Sequence, residues 1–196
     1  MSEHANIIAR FGLRAPTSCY PATLAGLQGY LDELADGAGL HVTAKEVATP
    51  YHPEIAEKLY ATPFLIPGSE SIAIVDGDAA MTSWDFERFA AIWALLLPFR
   101  REDGRPLSVI NWFRPDSYNA HPRVDGAKRS DHLTADAIDV GIRDASHRKA
   151  LAKYLTQYRK DEELQLSLGV YTTRIHVGIR SPAGARVWGP NKREVA

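Results

Sequence analysis

Along residues 136–142, polar or small positions alternate with apolar ones. Ile138, Val140 and Ile142 fall on one face of a strand, and Ala137, Asp139 and Gly141 on the other. The same alternation recurs at residues 174–180, where Ile175, Val177 and Ile179 supply the buried face while His176 and Arg180 project from the opposite one. Just upstream, Leu164, Leu166, Leu168 and Val170 alternate with Gln165, Ser167, Gly169 and Tyr171, which predicts a half-buried strand leading into that second one. Residues 107–113 are apolar on both faces. They read as a buried strand that delivers Arg114 at its end.

Three helices follow from the longer period. Leu24, Leu27, Leu31 and Leu34 recur at three- and four-residue intervals, with Thr23 as a cap and Gly37 and Gly39 as a stop. Ser83 opens a second helix with Phe86, Phe89, Ala90, Trp93 and Leu97 on one stripe and Pro98 closing it; the charged run 100–105 then reads as a solvated turn. Asp144 or Ser146 caps a third, whose stripe is Leu151, Tyr154, Leu155 and Tyr158, with His147 read as a surface residue of its first turn.

Residues 1 to about 20 show little periodicity, although Ile7, Ile8, Phe11 and Leu13 can lay an apolar edge on the domain. Between residues 41 and 70 four prolines punctuate the chain and leave room for one short helix over 53–61; residues 72–75 read as a strand entering a turn formed by Asp76 and Asp78.

Composition narrows the class. The chain has 196 residues, 45% apolar and 24% charged, enough for a substantial core. Its net charge of −1 gives no general attraction to nucleic acid or to an anionic membrane. The single cysteine, Cys19, excludes an intrachain disulfide. No basic region followed by an apolar run opens the chain and no stretch approaches membrane-spanning length, so the expectation is a cytoplasmic protein, with phage-encoded delivery to a cell wall as the alternative.

The candidate chemistry lies on the alternating strands. If they are neighbours, His132, seven positions before Asp139, can converge with Asp139 and His176. Two imidazoles and one carboxylate suit Zn²⁺ and leave the fourth position of a tetrahedral ion open for water. Seven histidines and twenty-four acidic residues also yield such spacings by accident, so spacing alone leaves the metal open.

Ser130, His132, Ala137 and Asp139 match the S-x-H-x-x-G-x-A-x-D run of the zinc D-alanyl-D-alanine carboxypeptidase-like peptidases, with Ala135 in place of the glycine. Residues 109–115 with Asn119 resemble that family's strand ending in a Gly-Tyr-Arg-like turn, and residues 124–130 its approach to the first ligand. Residues 168–171, 175–177 and 186–188 are similar to its closing segment. The resemblance covers roughly residues 81 to 190 and implies a hedgehog/DD-peptidase-like α+β fold: a mainly antiparallel sheet with helices on one side. The chain then divides into a mostly helical N-terminal extension, 1–80, packed on a zinc-peptidase-like domain, 81–196.

The resemblance further implies Zn²⁺ on His132, Asp139 and His176, with Arg114 facing the ion as a catalytic guanidinium that binds a carboxylate or an oxyanion. Ser130, Asn119, Tyr171, Asp136 and His121 are the nearby residues that would contact substrate or support the ligands. Two positions depart from the pattern. Thr173 stands where many members carry the acid that serves as general base, and Gly178 stands where others have an aspartate two residues after the third ligand. His121, Asp131, Asp136 and Tyr171 are the sequence neighbours that could replace the base. The implied function is a zinc-dependent peptidase or amidase acting on peptidoglycan-type or D-Ala-D-Ala-like peptides, with water as nucleophile. Two alternatives stand beside it: metal chemistry of another kind on a small amino-acid-like substrate in a biosynthetic pathway, and an inactive binding or virion structural protein.

Overall fold

The structure, a computed structural model, describes residues 2–20, 24–35, 83–105, 107–114, 116–122, 124–181 and 184–195. The Thr23 cap, the Gly37 and Gly39 stop, the helix over 53–61, the strand at 72–75 and the Asp76/Asp78 turn lie outside them.

Helix α1, Glu3–Arg10, forms because Ser2 caps it by accepting from the Ala5 amide, Glu3 sits in the first turn and Arg10 in the last. Sequence periodicity showed only an apolar edge there, and Ile7 and Ile8 are that edge, both buried. Helix α2, Leu24–Ala35, buries Tyr30, Leu31 and Leu34. Both pack on α3, Ser83–Asp103.

Two features of α3 differ from the expectation. It is buried on every side from Phe89 to Leu97 rather than along one stripe. It also runs through Pro98 and ends at Gly104, whose φ of 73° suits a glycine beyond a helix end. A proline inside a helix disturbs the carbonyls of the preceding turn. The Tyr154 hydroxyl donates to one of them, Leu95 O, at 2.8 Å. Residues 100–103 of the charged run are thus helical.

The sheet comprises β1 (Ser108–Asn111), β2 (Ala137–Gly141), β3 (Ser167–Val170), β4 (Arg174–Gly178) and β5 (Arg186–Trp188), in the order β1-β2-β4-β3-β5. All pairs are antiparallel except β3 with β5. One face carries Ile138, Val140, Ile175, Val177, Leu168 and Val170, each with no exposed surface, and meets α3 and α5 (Ala145–Thr156), the short α4 (Asp116–Asn119) lying between them in the chain. Together these elements form a mixed, mostly antiparallel α+β architecture. Strand β3 is buried on both faces rather than half-buried, since Ser167 and Gly169 lie beneath the site described below.

Asp144, not Ser146, caps α5 by accepting from the His147 amide at 2.6 Å. His147 is not a surface residue. It is buried, stacks on Phe99 with centroids 5.7 Å apart, and sets Nε2 3.2 Å from Asp103. Among the described residues, no helix is long and apolar enough to cross a membrane.

Candidate metal centre

Strand register builds the site. Asn111 faces Asp139, Asp139 faces His176, His176 faces Gly169 and Gly169 faces Trp188, so five residues form one row across the sheet on the face opposite the core. Period-2 alternation puts Asp139 and His176 side by side, as their apolar neighbours predict. Gly169 has no side chain in the middle of the row. A Cβ there would fall 2.8 Å from Trp188 and 2.9 Å from Tyr171, so the glycine lets the indole lean across to stand 5.0 Å from the His176 ring.

His132 arrives from outside the sheet, on a 3-10 turn spanning Asp131–Thr134. Ser130 caps the turn, and Ala135 closes it at φ 59°, a left-handed conformation that favours glycine. The alanine at the resembled family's glycine position therefore occupies a backbone state that a glycine would adopt more freely. Trp112 O lies 2.6 Å from His132 Nδ1, so Nδ1 carries the proton and the Nε2 lone pair turns toward Asp139 and His176.

The three facing atoms form a compact triangle. His132 Nε2 is 3.3 Å from Asp139 Oδ1, His176 Nδ1 is 3.0 Å from the same oxygen, and the two nitrogens are 3.1 Å apart. Donors at the usual zinc distances of about 2.0–2.2 Å in tetrahedral array stand roughly 3.3 Å apart, so the set fits a divalent ion. All three residues are buried, and lone pairs this close are unfavourable unless a cation or a proton lies among them.

Burial pushes the His132 imidazole down to about 4; Asp139 opposes that, while Arg114 and His176 add to it. Burial alone would raise Asp139, but the charge and bonds of the two imidazoles hold its carboxyl well below the ordinary carboxylate range. His176 is raised, because the bonds from Asp131 and Asp139 outweigh its desolvation. A neutral imidazole, an ionised carboxylate and a second imidazole in a strongly negative field make a cation-seeking set.

Asp131 is the residue that sequence reasoning misplaced. It is not a base facing substrate; its side chain is fully enclosed and its Oδ2 lies 3.5 Å from His176 Nε2. Ser167 Oγ donates to Oδ2 at 2.7 Å and Ser181 Oγ to Oδ1 at 2.6 Å. Burial raises this carboxyl, but the bonds from His176, Ser167 and Ser181 bring it to about 2. Its room comes from Gly178: a Cβ there would stand 2.7 Å from Asp131 Oδ2 and 2.4 Å from Ser167 Oγ. The signal in the sequence was the pairing of Asp131 beside the first ligand with a glycine two residues after the third.

The other expected residues divide between the cavity and its frame. A cavity of about 380 Å³ opens onto the triad, and Arg114, Ser130 and Tyr171 line it. Arg114 Nη2 donates to Ser130 Oγ at 3.0 Å, and the Arg114 amide donates to His132 O at 2.9 Å, so the arginine is tied to the ligand-bearing turn. Tyr171 Oη accepts from Trp188 Nε1 at 2.8 Å.

Asn119 does not line the cavity. It is buried beneath the 124–127 loop and donates to Ala127 O at 3.0 Å, with Gly126 leaving space for its amide. Asp136 also points elsewhere, 3.1 Å from His4 Nε2 of α1 and 3.7 Å from Arg88. His121 and Thr173 are outside the lining as well. Asp125, Arg174, Arg186 and Trp188 line the cavity without having been singled out as site residues. No family model matches the chain, and no curated protein or solved structure matches it.

Proposed function

We propose that the chain is a zinc-dependent hydrolase of the peptidase or amidase class, with a hedgehog/DD-peptidase-like fold, acting on peptidoglycan-type or D-Ala-D-Ala-like peptides. The observation that supports it is the convergence of His132 Nε2, Asp139 Oδ1 and His176 Nδ1, all within 3.3 Å of one another, beside a cavity that also holds Arg114. His132, Asp139 and His176 would hold a divalent ion, which would supply a Lewis acid for an amide carbonyl and lower the pKa of a water toward neutrality.

The chain's own groups divide the remaining work. Trp112 O and Asp131 fix the two imidazoles in orientation, so the ligand set is preorganised. Arg114, held by Ser130, presents a permanently charged fork to a substrate carboxylate or to charge developing on the carbonyl oxygen. Three carboxylates line the cavity: Asp139 belongs to the ligand set, and Asp131 is engaged by His176. Asp125 is the remaining carboxylate of the lining and the candidate for taking the proton from the attacking water and returning it to the departing amine.

A second reading has its own observation. Thr173, where the resembled family carries its base, is exposed and outside the cavity lining. That favours different metal chemistry on a small amino-acid-like substrate. Incubating zinc-loaded protein with muropeptides and with D-Ala-D-Ala, and reading new amines by mass spectrometry, separates the two. Release that disappears in His132→Ala supports hydrolysis; wild-type release no greater than that of His132→Ala removes it.

A further inference from the structure

Arg174 and Arg186 stand in rows on either side of the row that carries His176 and Trp188. Arg174 faces Gly141 and Arg186 faces Ser167, and both project from the site face of the sheet. Each guanidinium lies over an aromatic ring of the cavity wall, Arg174 4.3 Å from the centre of Tyr171 and Arg186 4.7 Å from that of Trp188. Stacking uses the face of a guanidinium and leaves its N–H edge available for a planar, two-pronged acceptor.

Each guanidinium is paired with one acid at ion-pair distance, without a hydrogen bond. Asp139 Oδ2 is 3.8 Å from Arg174 Nε, and Asp131 Oδ1 is 3.9 Å from Arg186 Nη2, both beyond hydrogen-bond length. Among the described residues no acceptor bonds the buried Arg174 Nε. Three arginines and three aspartates line the cavity, so a divalent ion would leave it with positive charge in excess. Two ring-backed guanidiniums in such a field, each about two-fifths exposed, suit an anion.

We infer that Arg174, stacked on Tyr171, and Arg186, stacked on Trp188, make the wall beside the metal centre a carboxylate-binding subsite, each arginine offering a contact on its own side, so that the substrate is an amide bearing an acidic group besides the group that Arg114 takes. The inference rests on the hydrolase reading for the identity of the substrate as an amide; the subsite itself rests on the arginines and the wall, and a bound ion would strengthen it.

Titration calorimetry with two five-carbon probes, glutarate and valerate, tests it on zinc-loaded and chelator-treated protein, with zinc content measured in parallel. Glutarate is expected to bind about tenfold or more tighter than valerate, as an added charge-assisted contact implies. The Arg174→Gln/Arg186→Gln variant is expected to bring the two within about twofold while keeping wild-type zinc content. Both side chains are about two-fifths exposed, at 41% and 40%, so the exchange leaves the core intact. Equal affinities in the wild type, or a preference that survives in the double variant, would overturn the subsite. A chain that takes up no zinc yet shows the preference, and loses it in the double variant, sinks the metal reading and supports the subsite.

Discussion

The carboxylate of Asp131 lies 3.5 Å from His176 Nε2, in space that exists because residue 178 has no side chain. The first histidine ligand is oriented by a backbone carbonyl and the third by a buried acid, and this second contact is the more vulnerable of the two. Asp131→Asn keeps the shape but removes the charge. Zinc affinity, read by competition with a chromophoric chelator, is expected to fall about 10–100-fold, the usual effect of losing such a partner. Gly178→Ala should do the same by displacing Asp131, and Ser167→Ala should do less. Unchanged affinity in both Asp131→Asn and Gly178→Ala would show that Asp131 does not orient the ligand.

His147 gives the protein a pH dependence away from the metal. Burial against Phe99 and Arg105 lower its pKa, and Asp103 and Asp144 only partly restore it, so the folded value lies below that of a free imidazole. Below about pH 6.5 the unfolded chain therefore binds a proton that the folded chain resists, and stability falls as the pH falls from there toward the folded pKa. Thermal melts between pH 7.5 and 5.5 should show this loss added to the one that His132 contributes, and His147→Gln should make the slope shallower. A slope identical in the variant would contradict the assignment.

Ala135 closes the ligand-bearing turn at φ 59° with its methyl fully buried. A β-branched side chain there adds backbone strain to overpacking, and Ala135→Val is expected to cost about 2–4 kcal/mol, read as a lowered urea midpoint. A cost below about 0.5 kcal/mol would mean that the turn is not left-handed at this position.

Asp139 and His176 were legible as candidate ligands because strand alternation is a local signal: Ile138 and Val140 on either side of Asp139, and Ile175 and Val177 on either side of His176, fix which way both side chains point. His132 was a candidate from its spacing to Asp139 and gained weight from its resemblance to a known run, but nothing in its own neighbourhood says that a 3-10 turn brings it back to the sheet. Asp131 was misread because its role depends on a gap at Gly178, 47 positions away and across two strands. Pro98 was read as a helix stop because local propensity cannot see that Tyr154, on another helix, donates to a carbonyl of the disturbed turn. His147 looked like a surface residue for the same reason, its partners Phe99 and Asp103 lying on α3. Arg174 was not singled out in the sequence; the tight turn between β3 and β4, in which the Tyr171 amide donates to Arg174 O at 3.0 Å, puts the Tyr171 ring under its guanidinium.

The most direct test of the centre is the metal content of purified protein, together with its thermal midpoint before and after a chelator. The account predicts one zinc ion per chain, a midpoint that drops when the ion is stripped and recovers when zinc is restored, and loss of both effects in His132→Ala and His176→Ala. Protein that binds no divalent metal, melts at the same temperature with and without chelator, and is unaltered in both respects by those two substitutions would contradict it.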